Sequence, residues 1–390
     1  MTPKRMDQPP QTSKFHQGIL IALQLVIVIL AIALGYFGHR FLHPGTGEFN
    51  LLREAHELVL DNTLYEVPDE PALEYGMIRG MLDALGDPYA SLVEPALHEI
   101  RTDQLTGRFG GLGVRLERDA DHNWLLFPQP DSPAEDAGIE DGDQLVQVDN
   151  QSITPEMDET TLIALIRGPE GESVTLSIQR NRQTLTFTIE REVISLPSVS
   201  WQRLPETPEI GMIRVNLIAA TTPEEIEDAL DELLESGING LILDLRDNTG
   251  GLVEPGVQIS RLFLEEGEIV RRQFRDQDAE IFTVDEPGRF SQIPMVVLIN
   301  ENTASAAEIV TGAIKANQRG FLVGRPTFGK TTIQFIFELQ DGSSINITSG
   351  RWFVPDLDFP LQPDQSIEQD QPDQAFIQEA VNQLQDVISP

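Results

Sequence analysis

Met295-Val296-Val297-Leu298-Ile299-Asn300-Glu301-Asn302-Thr303-Ala304-Ser305-Ala306-Ala307-Glu308-Ile309-Val310 is the stretch on which the fold turns. Its first five residues are apolar without alternation, as in a strand covered on both faces. A polar turn follows, and then a helix predicted over Ala304–Ala316. Gly240–Leu245 is a second such apolar run. It leads through Arg246-Asp247-Asn248-Thr249-Gly250-Gly251 into a helix predicted over Val253–Phe263. Ile210–Val215 reads as a strand, and Thr222-Pro223-Glu224-Glu225 opens a helix with a cap, a proline and early acids. Phe321–Val323 and Thr332–Phe337 read as strands. Strand and helix thus alternate through residues 195–354, which predicts an α/β core with at least a partly parallel sheet.

The regions on either side read differently. Residues 105–194 predict a β-rich module with short alternating strands at Val174–Ile178 and Leu185–Ile189. A glycine-rich turn, Gly110-Gly111-Leu112-Gly113-Val114, runs into its first strand, and a helix over Thr161–Ile166 stops at Gly168-Pro169. Residues 51–104 carry helical spacing broken at Gly86-Asp87-Pro88. Residues 355–390 hold an amphipathic helix over Asp373–Val387. No internal repeat is present. Gly18–Phe37 is apolar on every face and long enough to span a bilayer. Lys4, Arg5 and Lys14 precede it, so residues 1–17 are expected in the cytoplasm and everything after about residue 40 outside. A cleaved signal peptide is the competing reading, with Ala33-Leu34-Gly35 as a small-x-small site. The run is longer than a usual signal core, which favours a retained single-pass anchor with residues 38–104 as linker and helical region.

The chain has 390 residues, enough for several domains, and a formal charge of -36 from 63 acidic and 27 basic residues. That balance excludes nucleic acid as an expected partner, since phosphate binding needs a cationic surface. No cysteine is present, which removes thiol catalysis, thiolate zinc sites and disulfides. All six histidines lie before residue 123.

The histidine distribution bears on Ser305. If it is a nucleophile, its base is not expected to be imidazole. A serine at a strand-to-helix junction sits where helix N-terminal N–H groups converge, which suits a developing oxyanion. On local context Ser305 or Thr303 reads equally as an N-cap, and the Gly-x-Ser-x-Gly elbow is absent. Lys330 follows Gly329 in a loop between two strands. It serves as a general base only if burial lowers its pKa; otherwise it is a surface lysine. Gly324–Thr331 also satisfies the G-x-x-x-x-G-K-T phosphate-loop pattern. That loop must open a helix, whereas Thr332-Ile333-Gln334-Phe335-Ile336-Phe337 is strand-like, so the nucleotide reading is set aside. Gly250-Gly251 allows close backbone approach and can present N–H groups, or is simply a tight turn.

Three ordered motifs, Asp244-Leu245-Arg246-Asp247-Asn248-Thr249-Gly250-Gly251, then Thr303–Ile309, then Gly324–Gln334, resemble the carboxyl-terminal processing (tail-specific) protease family. The 105–194 module resembles the PDZ domain embedded in those proteases. The resemblance covers residues 50–390. It implies an α/β protease core with an inserted PDZ domain and a serine endopeptidase acting through an acyl-enzyme. It places the nucleophile on Ser305, the base on Lys330 and an orienting glutamine on Gln334. It implies an oxyanion hole from the N–H groups of Gly251 and Ala306. A substrate's free carboxylate would sit on N–H groups near Leu112, Gly113 and Val114, with the peptide added as a strand. Arg167 is a candidate for coupling the PDZ domain to the protease. Expected partners are proteins or peptides with free C-termini and, through the anchor, a membrane; self-assembly is left open. No metal, nucleotide or other cofactor is called for. The alternative is a non-catalytic PDZ scaffold or receptor, against which intact Ser305, Lys330 and Gln334 argue. The sequence departs from the family where Lys315-Ala316 replaces a frequent Gln-Asp, where Thr331 replaces a glycine, and in residues 355–367, which are short and lack Gly-Ile before Pro363-Asp364.

Overall fold

The computed structural model describes residues 49–369 and 371–388. The expected span at 18–37 lies outside them, and among the described residues no helix is long and apolar enough to cross a membrane. The chain divides into two compact units at Glu74–Tyr75. In the first, the helix Asn50–Asn62 has no buried residue.

The second unit is built on a six-stranded sheet. Its strands lie in the order Val199–Arg203, Ile210–Val215, Gly240–Asp244, Met295–Ile299, Phe321–Gly324 and Gln365–Ser366. The first pair is antiparallel and the rest are parallel. The unbroken apolar runs are explained by cover on both faces. Leu241, Leu243, Val297 and Ile299 pack against the helices Thr222–Glu235, Val253–Phe263 and Ala306–Ala316 through Ile226, Leu230, Ile259, Phe263, Val310 and Ile314. The intervening Ile242, Val296 and Leu298 point the other way, onto Phe376, Ala380, Val381 and Leu384 of the helix Asp373–Ile388. A strand period of two therefore feeds two separate cores.

A second, antiparallel sheet lies behind two of those helices. Its long strand Ser344–Phe353 pairs with Thr332–Glu338 on one side and with Ser91–Val93 and Glu268–Phe274 on the other; Glu280–Thr283 completes it. Val257, Ile309 and Ala313 meet Ile269, Ile333 and Trp352 in a shared core, so the helices Val253–Phe263 and Ala306–Ala316 sit between the sheets. The helical reading of 51–104 is corrected at Ser91–Val93. The preceding helix ends at Asp83, Gly86 turns the chain with φ 67°, and pairing with Ser344–Asn346 draws residues 91–93 into a strand.

The β-rich module has its own core around Leu126, Leu145, Leu162, Leu176 and Ile178. Its main strands run in the order Val114–Arg118, Trp124–Pro128, Asp143–Val148, Ser173–Arg180 and Gln183–Glu190, all antiparallel. Arg108–Gly111 pairs with Glu192–Ser195, so the chain enters and leaves the module side by side.

Candidate active site

Two neighbouring parallel strands, Gly240–Asp244 and Met295–Ile299, end at one edge of the central sheet. Their following loops must therefore adjoin, at the place where α/β sheets hold their ligands. Ser305 stands at the head of the helix Ala306–Ala316 with φ 55° and ψ -120°. Ser305 is the N-cap of that helix and shares a capping box with Glu308, but its backbone is not the extended one usual at a cap. A non-glycine residue in this region costs about 1–3 kcal/mol and persists only where its surroundings impose it. The chain thus makes a strained serine elbow without the Gly-x-Ser-x-Gly motif; Ala304, Ala306 and Ala307 supply the small neighbours.

Several contacts impose the strain. Ala304 N–H donates to the Asn248 carbonyl at 2.9 Å. Asn248, fully buried, donates from Nδ2 to the Val215 carbonyl and accepts the Gly250 N–H at 2.8 Å on each side. Gly250 lies so close that a Cβ there would come within 2.8 Å of the Ser305 Cβ. A Cβ on Gly251 would sit 2.1 Å from the Ile218 carbonyl oxygen. Ile218 bonds the residues on either side of Gly251 in a parallel bridge, which turns the Gly251 N–H away from it. Among the described residues, the N–H groups of Gly251 and Ala306 have no acceptor. Asp247 ties the two loops from outside. The Asn302 and Asn300 amides donate to its carboxylate and hold its pKa below the usual range.

Glu308 joins the serine turn to the lysine loop. Its side chain is fully buried. Oε1 accepts from Thr327 Oγ1 at 2.6 Å and Gly329 N–H at 2.7 Å. Oε2 accepts from Ser305 N–H and Lys330 N–H, each at 2.9 Å. A carboxylate has about four acceptor positions, and these donors fill them. Burial pushes the Glu308 pKa up, and the four hydrogen bonds oppose that. The N–H groups of Gly329 and Lys330, which a phosphate loop would turn toward nucleotide, thus face an internal anion. Thr332–Glu338 continues as a strand, not a helix.

Ser305 and Lys330 line one cavity of about 790 Å³, together with Gly251, Leu252, Ile333 and Gln334. Lys330 is half-buried, and burial pushes its pKa down, with the Asp87 charge opposing. Its Nζ lies 4.7 Å from the centre of the Tyr89 ring. Gln334 faces the same cavity, but its Nε2 donates to Thr332 Oγ1 and Thr348 Oγ1, each at 3.0 Å. The structure thus brings Ser305, Lys330 and Gln334 together without hydrogen-bonding the glutamine to the lysine.

A second cavity, about 260 Å³, lies between the strand Val114–Arg118 and the helix Glu159–Ile166. Leu112, Gly113 and Val114 line it with Ile163, Ile166 and Arg167. Gly113 carries φ 65°, and among the described residues the Leu112 and Gly113 N–H groups have no acceptor. Arg167 lies over the Phe109 ring at 3.7 Å and donates to Asp103 Oδ2 at 2.6 Å. Asp103 sits on the helix Pro95–Thr106, and that helix contributes His98, Arg101, Thr102 and Leu105 to the Ser305 cavity. One arginine therefore touches both the groove and the helix that borders the candidate site.

The profile of peptidase family S41 matches residues 209–372, and a PDZ domain profile matches 128–180. The carboxy-terminal processing protease CtpA of Bacillus subtilis (strain 168) is 31% identical over 347 residues, spanning 86% of this chain and 73% of the relative. The chain belongs to the carboxyl-terminal processing proteases of peptidase family S41. The carboxyl-terminal-processing protease of Synechocystis sp. is 37% identical over 306 residues, spanning 76% of this chain and 71% of that one. A solved photosystem II D1 C-terminal processing protease aligns at 29% identity and a TM-score of 0.45, covering 81% of this chain and 86% of that one. Membership makes this chain a serine protease that carries a PDZ domain.

The residues that sequence reasoning passed over in this family member are the braces. Ser305-x-x-Glu308 is a capping-box spacing and offered a signal for Glu308. Asn248 and Asp103 carried none. Asp244 and Arg246 form a buried two-bonded ion pair at 2.8 and 2.7 Å, and Arg246 lies 4.9 Å from the Phe376 ring, linking the motif strand to the C-terminal helix. The departure at Lys315 is accommodated: its Nζ pairs with Asp364, which also accepts the Leu322 N–H at 2.9 Å.

Proposed function

We propose that this protease cleaves protein substrates whose free C-termini dock in the PDZ groove, using Ser305 as nucleophile and Lys330 as base. The observation that carries the reading is the strained Ser305 opening on the same cavity as a half-buried lysine whose pKa burial lowers. Neutral Lys330 takes the Ser305 Oγ proton as Oγ attacks the scissile carbonyl carbon. The resulting oxyanion faces the Gly251 and Ala306 N–H groups. The Lys330 ammonium returns the proton to the leaving amine, and water then hydrolyses the acyl-enzyme. Gln334 orients the lysine when its amide leaves Thr332 and Thr348. The substrate carboxylate binds at Leu112–Val114, and Arg167 passes groove occupancy through Asp103 to the cavity helix. Residues 18–37 anchor the chain in the cell membrane with the catalytic part outside the cytoplasm.

Ser305→Ala and Lys330→Ala are each expected to abolish cleavage of a peptide with a free apolar C-terminus. Fluorophosphonate labelling of Ser305 should rise when a tail peptide is added. Full activity in Lys330→Ala overturns the assignment of the base. Recovery of the full-length chain in the soluble fraction overturns the anchor.

A further inference from the structure

The cation of Lys330 is met by a segment distant in sequence. Asp87-Pro88-Tyr89-Ala90 forms a turn between the helix Glu70–Asp83 and the strand Ser91–Val93. Within it, Tyr89 N–H donates to Asp87 Oδ1 at 3.0 Å. The turn is fixed to the long strand by Thr348 N–H, which donates to Asp87 Oδ2 at 3.2 Å, and Thr348 is also the residue that holds Gln334. Tyr89 presents its ring to the Lys330 ammonium at 4.7 Å. Among the described residues, that ammonium makes no salt bridge and no hydrogen bond.

We propose that Tyr89 and Asp87 are positioning residues for this protease: they fix where the Lys330 amine rests and how firmly it keeps its proton. The inference rests on the reading of Lys330 as the base. An aromatic face attracts an ammonium and not a neutral amine, and a nearby carboxylate favours the charged form. Burial acts in the opposite sense. A general base must be free of its proton at the working pH, so the balance between the turn and burial sets the pH at which the enzyme wakes. The other charged or titratable groups facing the cavity are His98 and Arg101 on one helix, Glu254 on another, and Arg272 on a strand. Arg272 is paired with Glu254 and Glu280. Glu308 reaches Lys330 through the backbone N–H.

Activity rises with pH as Lys330 loses its proton. Removing a group that favours the ammonium lowers the lysine pKa and moves this limb to lower pH. The test is kcat/KM against pH for a fluorogenic peptide with a free apolar C-terminus, in a His98→Asn background that leaves no imidazole lining the cavity. Tyr89→Phe keeps the ring face and is expected to leave the limb in place. Tyr89→Leu is expected to move it down by about 0.5–1 pH unit, and Asp87→Asn to move it in the same direction. A purely structural role lowers the plateau without moving the limb. Coincident limbs in wild type, Tyr89→Phe, Tyr89→Leu and Asp87→Asn, with Lys330→Ala inactive, overturn the proposal while sparing the base. An active Lys330→Ala instead removes the base assignment on which it rests. If Tyr89→Leu does not fold, the Asp87→Asn limb decides by the same criterion.

Discussion

The turn at Leu112–Val114 and the turn around Ser305 both leave backbone N–H groups without acceptors among the described residues, yet they are made by opposite means. In the PDZ groove the positive φ falls on Gly113, where it costs little. At the candidate active site the strained angle falls on Ser305 itself, a residue with a side chain. Recognition of a carboxylate needs only backbone, and a glycine supplies it. The proposed nucleophile is a hydroxyl on a backbone that resists it, held by the Asn248 carbonyl from one loop and by the Glu308 carboxylate. The recognition turn is a local solution. The Ser305 turn is a global one.

That contrast can be broken at either end. Gly251→Ala brings a Cβ onto the Ile218 carbonyl oxygen, so it should displace the proposed oxyanion N–H and lower kcat about 10²–10³-fold; single-turnover kinetics would show the loss in acylation. Glu308→Gln swaps one acceptor oxygen for an NH₂ that faces N–H donors. Misplacement of the serine and lysine loops should lower kcat by about 10²-fold and also lower Tm. Unchanged kcat with lowered Tm would make Glu308 a stability brace only. Gly113→Ala would place a Cβ 2.5 Å from the Ser132 Cβ at a positive φ. It should raise KM for tail-bearing substrates about tenfold, the effect of roughly 1.4 kcal/mol, while cleavage of peptides too short to reach the groove stays unchanged. Equal loss on both substrates would mean the two turns are not separable.

The smallest effect lies outside both turns. Asp341, in the hairpin between Thr332–Glu338 and Ser344–Phe353, has its pKa lowered to about 2 by hydrogen bonds from Ser343 and Tyr75. A depressed carboxylate stabilises the fold above its unfolded pKa and loses that effect as pH falls toward its folded one. The Tm difference between wild type and Asp341→Asn should therefore be present at pH 6 and shrink steadily below about pH 4. A difference that does not change with pH would remove the ionic account.

The same division governs what could be read from the chain alone. The central strands were legible because Gly240–Leu245 and Met295–Ile299 are apolar at every position, and the serine helix because its turn and periodicity are local. The strands Glu268–Phe274 and Glu280–Thr283 were not, since Arg271, Arg272 and Glu280 mask their alternation with ion pairs. Ser91–Val93 became a strand through partners far downstream in the chain. At the site, Ser305 and Lys330 stood out by type and spacing. Tyr89 did not, because it meets Lys330 only across the folded chain. The family resemblance singled out Gln334, but Thr332 and Thr348 decide where its amide points.

The cover that Asp373–Ile388 lays over Ile242, Val296 and Leu298 has a consequence for biosynthesis. A nascent chain that has emerged as far as Gln334 already holds every side chain of the proposed chemistry. One face of the sheet that aligns them is still bare, and Arg246 still lacks its aromatic neighbour Phe376. Burial of that face is therefore complete only once the chain extends to about residue 388. The core beneath the proposed site is thus closed by a segment that lies downstream of every residue in that site.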